Sequence, residues 1–204
     1  AYQGGYDVNA ITYTGETYVA EIVGFENEGS DIAVLKIDAT GLTPVKLGDS
    51  SQMEVGESVY AVGNPLGELT YTMTSGMVSA LDREVTTSDQ STGEINTINM
   101  FQIDAAVNSG NSGGPLYSSR GEVIGVVSAK YSETGVEGLA FAIPINDAVD
   151  IANDLITQGY VSGKPYMGIT VQTMPQKVAA YYNVPDGAYV YYIESGACGE
   201  RAGL

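Results

Sequence analysis

The chain has 204 residues, 44% of them apolar, with 26 glycines against 7 prolines, enough for one large or two small domains built from short elements and tight turns. Eight Lys and Arg stand against 25 Asp and Glu, a net charge of −17 that repels phosphate backbones and anionic lipid, so nucleic acid and polybasic membrane attachment are excluded as partners. One cysteine and no histidine exclude an internal disulfide, a thiolate zinc site and any histidine-based metal site, and no cofactor is implied.

In chain order, residues 8–13 and 17–23 alternate well enough for two strands around a Thr-Gly-Glu hairpin loop. Residues 31–37, Asp-Ile-Ala-Val-Leu-Lys-Ile, are apolar on both faces for most of their length, which predicts a central, buried strand. Asp31 stands at its mouth. An aspartate there commonly bonds its own backbone, and a carboxylate held at a core edge also suits the orientation of an imidazole. Residues 38–55 are a predicted loop with Leu42, Pro44 and Leu47 as packing points. A strand over 55–62 follows, closed by Gly63-Asn-Pro-Leu-Gly67, which lacks the Lys-Ser/Thr of a phosphate loop. Residues 70–81 read as one or two strands, and 83–97, polar and without clear period, as a long loop.

Residues 98–103 return to strand and lead into Asp104-Ala-Ala-Val-Asn-Ser-Gly-Asn-Ser-Gly-Gly-Pro115. Gly110, Gly113 and Gly114 crowd Ser112. A nucleophilic serine needs a clear hydroxyl and nearby N–H groups aimed at a developing oxyanion, here those of Gly110 and Ser112. The same residues also suit a polar hairpin loop. Strands are predicted over 122–129 and 138–145, then a helix with Asn146 as N-cap, Ala148, Ile151, Ala152, Leu155 and Ile156 on one face, and Gly159 as its stop. Gly163-Lys-Pro165 reads as a linker, 166–171 as a strand, 176–182 as a short helix and 187–193 as a strand.

Asp31 before an apolar strand, Gly63-Asn-Pro before Thr-Ser-Gly-x-Val-Ser, Gly110-Asn-Ser-Gly-Gly-Pro115, Gly138-Leu-Ala-Phe-Ala-Ile-Pro144 and Tyr166-Met-Gly-Ile169 occur in this order. Together they resemble the HtrA/Deg serine proteases over about residues 8 to 204. The resemblance implies a mainly β fold: a trypsin-like double six-stranded β-barrel, its first barrel incomplete, with a C-terminal helix and the start of a PDZ domain. The expected division is 1–54 for the partial first barrel, 55–160 for the second barrel and helix, and 161–204 for a truncated PDZ domain.

The same resemblance implies Ser112 as nucleophile, Gly110 and Ser112 as oxyanion hole, and Asp31 as the carboxylate that orients a histidine. It implies Ser128, Ala129 and Lys130 as the strand that pairs with substrate, Ala106, Ala129 and Ala140 as pocket walls, and Tyr166, Met167, Gly168 and Ile169 as a loop that captures a peptide's terminal carboxylate. The implied function is a serine endopeptidase of protein quality control in the bacterial cell envelope, acting on unfolded or misfolded polypeptides and assembling as a homotrimer. The family's histidine precedes the Asp31 strand and this chain has none, so it is expected to be an inactive piece of a longer product whose signal or anchor lies upstream. The alternative is a non-catalytic peptide-binding protein.

Overall fold

The computed structural model describes residues 8–26, 30–65, 71–88, 95–130, 138–163 and 167–204. It divides into two compact units, Ala1–Val161 and Ser162–Leu204.

The first unit opens with a three-stranded antiparallel sheet in the order β1 (Val8–Ile11), β2 (Thr17–Glu26), β3 (Ile32–Lys36). Gly15, at φ 87°, makes the β1–β2 turn, where Gly15 N–H donates to Thr12 O at 2.9 Å. The strand expected to be central is instead the sheet's edge. Only Ile32 is buried in it, and Leu35 is 48% exposed. An unbroken apolar run marks two faces able to bury, but whether something covers the second face depends on the neighbours. Leu42, Pro44 and Leu47 are also exposed, and the segment 38–55 is anchored by buried Ser50 and Met53 instead.

A closed antiparallel barrel follows, in the order β4-β5-β6-β9-β8-β7. Its strands are β4 (Ser58–Gly63), β5 (Thr72–Ser88), β6 (Ile95–Ile103), β7 (Pro115–Ser118), β8 (Val123–Lys130) and β9 (Ala140–Pro144). Closure removes the open edges a sheet would otherwise expose. The loop expected over 83–97 is largely strand: Arg83 pairs with Met100, Val85 with Ile98 and Thr86 with Thr97. Polar composition hid the alternation there. Ile98 is buried on one face, while the Thr86 and Thr97 hydroxyls meet at 3.2 Å on an exposed one.

Strand β9 is buried throughout and sorts its side chains by size. Ala140 and Ala142 join Val59, Val78, Ile103 and Leu116 in the barrel interior. Phe141 and Ile143 point the other way and join Ile32, Met100, Ile145 and Ala148. That second cluster ties barrel, β3 and helix α1 (Ile145–Gln158) together, and so brings Asp31 to the barrel. Strand β2 also lies on α1, where a Cβ on Gly24 would meet the Leu155 side chain at 3.2 Å.

Asn146 is not the N-cap of α1. The helix starts at Ile145 behind Pro144, and Gly159 ends it at φ 81° with its N–H on Leu155 O at 3.1 Å. The Asn146 side chain reaches outward instead. Its Nδ2 donates to Asp49 Oδ1 at 2.8 Å and its Oδ1 accepts from Ser50 N–H at 3.2 Å, while Asn146 N–H donates to Ser50 Oγ at 3.1 Å. Ile156, placed on the buried face by its spacing, is 60% exposed because the face that packs is narrower: Ile145, Ala148 and Leu155.

The second unit holds β10 (Ile169–Met174) antiparallel to β11 (Gly187–Ile193), with α2 (Gln176–Tyr182) and α3 (Cys198–Ala202). Its Val171, Tyr181, Tyr182, Tyr189, Tyr191 and Tyr192 are exposed, and Ala179 is its one buried apolar side chain among the described residues. So small a core contributes little by itself.

Two outcomes are expected in urea denaturation. Met100→Ala, which empties a fully buried site between barrel and helix, costs about 2–5 kcal/mol. Asp49 is held below its ordinary value by hydrogen bonds from the Ser51 hydroxyl, Asn146 and the Ser51 N–H. A depressed carboxyl contributes stability above the unfolded-state value of 3.8 and loses it as pH falls through the folded-state value. Asp49→Ala is therefore destabilised at pH 7, and its deficit shrinks as the pH falls below about 4.

Candidate active site

The loop between β6 and β7 is anchored before it reaches its serine. Ala105 and Val107 are buried and alternate with exposed Ala106 and Asn108, so the strand alternation of β6 carries into the loop. Asp104 Oδ1 accepts the Met77 N–H at 2.6 Å, and Thr74 Oγ1 donates to Ala106 O at 2.9 Å. Gly76 packs so closely on Asp104 and Ala105 that a Cβ would collide with both.

The turn itself runs through Gly110 at φ 101° and Gly113 at φ 82°. Asn111 N–H donates to Asn108 O at 3.0 Å and Gly114 N–H to Asn111 O at 2.9 Å. Gly113 N–H donates to Val127 O at 2.7 Å, and Val127 N–H returns a bond to Gly114 O at 2.9 Å, which fastens the turn to β8. Asn111 is 1% exposed and turned inward, with Nδ2 on Ala106 O at 3.4 Å and Oδ1 against Gly63. Asn64 N–H donates to Gly110 O at 3.0 Å, which sets the orientation of the following peptide.

Ser112 is left exposed at the top of this turn. Among the described residues neither its N–H nor that of Gly110 has a hydrogen-bond acceptor. Two free donors beside an exposed hydroxyl are able to receive negative charge that develops on an oxygen.

Asp31 approaches from the other side. It has φ 55°, a left-handed conformation that aspartate tolerates better than most side chains. Its Oδ2 accepts the Ser128 hydroxyl at 2.7 Å. Asp31, Ser112 and Ser128 line one cavity of about 700 Å³. A second cavity of about 310 Å³ is lined by Asp104, Ala106, Asn108, Leu139 and Ala140. Strand β8 pairs with β7 only as far as Val126, so from Ser128 to Lys130 its described partner is β9 alone: Ala129 faces Phe141 and Lys130 faces Ala140.

The expected site residues thus fall into three groups. Asp31, Ser112 and Ser128 line one cavity, with Gly110 on the same turn as Ser112, and Ala106 and Ala140 line another. Met167, Gly168 and Ile169 lie in the second unit, where Met167 O accepts the Gly199 N–H at 2.7 Å and Gly168 O the Glu194 N–H at 2.8 Å. Tyr166 lies outside the described residues. Sequence reasoning gave Asn111, Asp104 and Thr74 no part in the site. The only signal for Asn111 was its place between glycines, since its burial depends on the distant Gly63.

Residues 3–126 match the trypsin-like peptidase domain. The chain is 39% identical over 213 residues to the serine protease Do-like HtrA of Bacillus subtilis (strain 168), covering 99% of this chain and 46% of that protein. The chain belongs to the HtrA/Deg serine proteases. It is also 39% identical over 188 residues to a probable periplasmic serine endoprotease DegP-like protein of Hahella chejuensis (strain KCTC 2396), covering 91% of this chain and 38% of the relative. Among solved structures, the HtrA-type protease AlgW with decapeptide superposes with a TM-score of 0.72 at 31% identity, covering 98% of this chain and 60% of that one. The chain spans about half the length of the HtrA and DegP-like relatives it matches.

Within this HtrA/Deg frame, Gly63 is the position where the serine turn and β4 come closest. A Cβ there would strike both the side chain and the backbone of Asn111. Gly63→Ala is expected to cost about 1–3 kcal/mol in urea denaturation, with a local loss of amide protection from Asn111 to Gly114 in hydrogen exchange.

Proposed function

We propose that the protein these residues belong to is a serine endopeptidase of protein quality control in the bacterial cell envelope, cutting unfolded or misfolded polypeptides through an acyl-enzyme. The observation that carries the reading is the exposed Ser112 beside two unengaged N–H groups, in a cavity it shares with the Asp31 carboxylate.

In this reading Ser112 Oγ attacks the scissile carbonyl, and the N–H groups of Gly110 and Ser112 receive the oxyanion. A donor in such a position is worth about 10²–10³ in rate. Asp31, braced by Ser128, orients a histidine base. The edge of β8 from Ser128 through Ala129 to Lys130 takes the substrate as an added strand, and its unpaired flank favours this. Ala106 and Ala140 wall the pocket for the residue before the cut. Residues 161–204 are read as part of a PDZ domain, with Tyr166, Met167, Gly168 and Ile169 as its carboxylate loop. The assembly is read as a homotrimer in the cell envelope by resemblance to the family, and a relative named a probable periplasmic serine endoprotease supports that location.

The 204 residues contain no histidine, so Ser112 has no imidazole within this chain to take its proton. Turnover by this chain alone is accordingly slight. A second reading is peptide binding without cleavage, for which the flank of β8 beyond Val126, unpaired with β7 among the described residues, also offers a strand edge.

Reaction with a fluorophosphonate, followed by mass spectrometry, tests the first reading. One slow adduct is expected at Ser112, absent from Ser112→Ala, with casein left intact. Adducts spread over several serines would sink Ser112 as nucleophile, and prompt cleavage of casein would sink the need for an external base. No adduct at all, together with binding of peptides that have free C-termini, would establish the second reading.

A further inference from the structure

Resting on the reading of Ser112 as nucleophile, we propose that Thr74 is a positioning residue for that reaction. Its hydroxyl fixes the Ala106 carbonyl and, through that carbonyl, the buried amide of Asn111, which sits between the two N–H groups read as the oxyanion hole.

Strand β5 grips the loop below the serine at neighbouring points. Thr74, Gly76 and Val78 turn inward while Met73, Ser75 and Met77 are exposed, the two-residue period of a strand. Gly76 lets the backbone of Asp104 and Ala105 come close, and Met77 N–H donates to Asp104 Oδ1. Thr74 Oγ1 donates to Ala106 O at 2.9 Å across 32 positions of sequence. Of these grips, only that of Thr74 holds an atom that the serine turn also uses. Asn111 Nδ2 donates to the same Ala106 O at 3.4 Å. Thr74 lines neither the cavity of Ser112 nor that of Ala106, so what it does for the reaction it does through this carbonyl.

The two bonds to Ala106 O are unequal. The one from Thr74 is short, and the one from Asn111 is close to the length at which such a contact stops being a hydrogen bond. Asn111 is 1% exposed, and its Oδ1 has no partner among the described residues. A buried amide oxygen without a donor opposes its own burial, and Gly63 leaves the side chain no space on the β4 side. The Asn111 amide therefore keeps its place only while its acceptor stays where Thr74 puts it.

That place matters because of what flanks it. The peptide from Asn111 to Ser112 carries the Ser112 N–H, and its carbonyl accepts the Gly114 N–H at 2.9 Å. The peptide before it gives Gly110 O to the Asn64 N–H at 3.0 Å. A turn of the Asn111 side chain loads both peptides and moves the unengaged N–H groups of Gly110 and Ser112 off their aim. Donors to an oxyanion act by being fixed in advance, so displacement by a fraction of an ångström is felt in the rate.

The test separates the hydroxyl from the shape of the side chain. Thr74→Val keeps the β-branched form and removes the donor, Thr74→Ala removes the donor without crowding the loop, and Thr74→Ser keeps the donor. Thr86→Val makes the same change on the same strand, where the hydroxyl meets Thr97 instead of the loop. Circular dichroism confirms that each folds. The readouts are the rate of fluorophosphonate addition to Ser112 and the amide resonances of Gly110 and Ser112 in nitrogen-15 NMR. Thr74→Val and Thr74→Ala are expected to slow addition about 10-fold, less than outright loss of an oxyanion donor, and to shift both resonances. Thr74→Ser and Thr86→Val are expected to match the unaltered chain in both. Equal effects of Thr74→Val and Thr74→Ser, or of Thr74→Val and Thr86→Val, overturn the positioning role. If the unaltered chain gives no adduct at Ser112, the reading of Ser112 as nucleophile falls. The two resonances then decide the role of Thr74 by themselves: shifted in Thr74→Val and restored in Thr74→Ser they uphold it, and unmoved they overturn it.

Discussion

Ser128 and Asp31 are 97 positions apart in sequence and 2.7 Å apart across one hydrogen bond. That bond is the polar end of a seam whose apolar body is Ile32, Met100, Phe141, Ile143 and Ala148. The barrel closes on its own pairings, but the three-stranded sheet has no comparable core and takes its position from the seam and from Gly24 lying on Leu155. Everything assigned to the site presumes this placement. Without it Ser112 would still stand on its turn, but no carboxylate would share its cavity.

The serine turn shows how close packing substitutes for a long list of side-chain contacts. Gly63, Gly76 and Gly114 each lie where a Cβ would collide with backbone of the loop or of β4, so the loop is held by steric exclusion from several sides. Its backbone hydrogen bonds to β8 and Asn64 fasten the barrel side, where the buried Asn111 Oδ1 and Asn64 Oδ1 are left without a partner among the described residues. On the outward side the hydroxyl of Ser112 and the N–H groups of Ser112 and Gly110 are unengaged among the described residues. A rigid support with a few unspent donors is the arrangement that electrostatic stabilisation of an oxyanion asks for, because no reorganisation is needed when charge appears.

Electrostatics beyond the cavity is largely local. Lys46 and Arg120 both engage Glu122, at 2.6 and 2.9 Å, and with the hydrogen bonds they donate they hold its carboxyl below the ordinary range. Asp147 is moved the other way, raised by partial desolvation and by the charges of Asp150 and Asp82. A raised carboxyl opposes stability as pH rises through its value, so the start of α1 is one of the places where the surplus of acid costs the fold something.

Much was legible in the sequence because it depends on local rules. The β1–β2 hairpin, α2, β11, the Gly159 stop and the glycine-framed Ser112 follow from alternation, helical spacing and the backbone freedom of glycine, all of which act within a few residues. The ordered motifs placed the chain in its family for the same reason, since each is a short run whose geometry is set by its own residues. Other features required the tertiary structure. The diversion of Asn146 from capping to Asp49 and Ser50 and the burial of Asn111 against Gly63 each depend on a partner tens of residues away, the exposure of β3 depends on which neighbours cover its sheet, and β5 and β6 extend through a hairpin whose polar composition hides its alternation. The sequence by itself determined which groups can do chemistry. Only the folded chain decided which of them meet, because burial and the presence or absence of a hydrogen-bond partner are properties of neighbours in space.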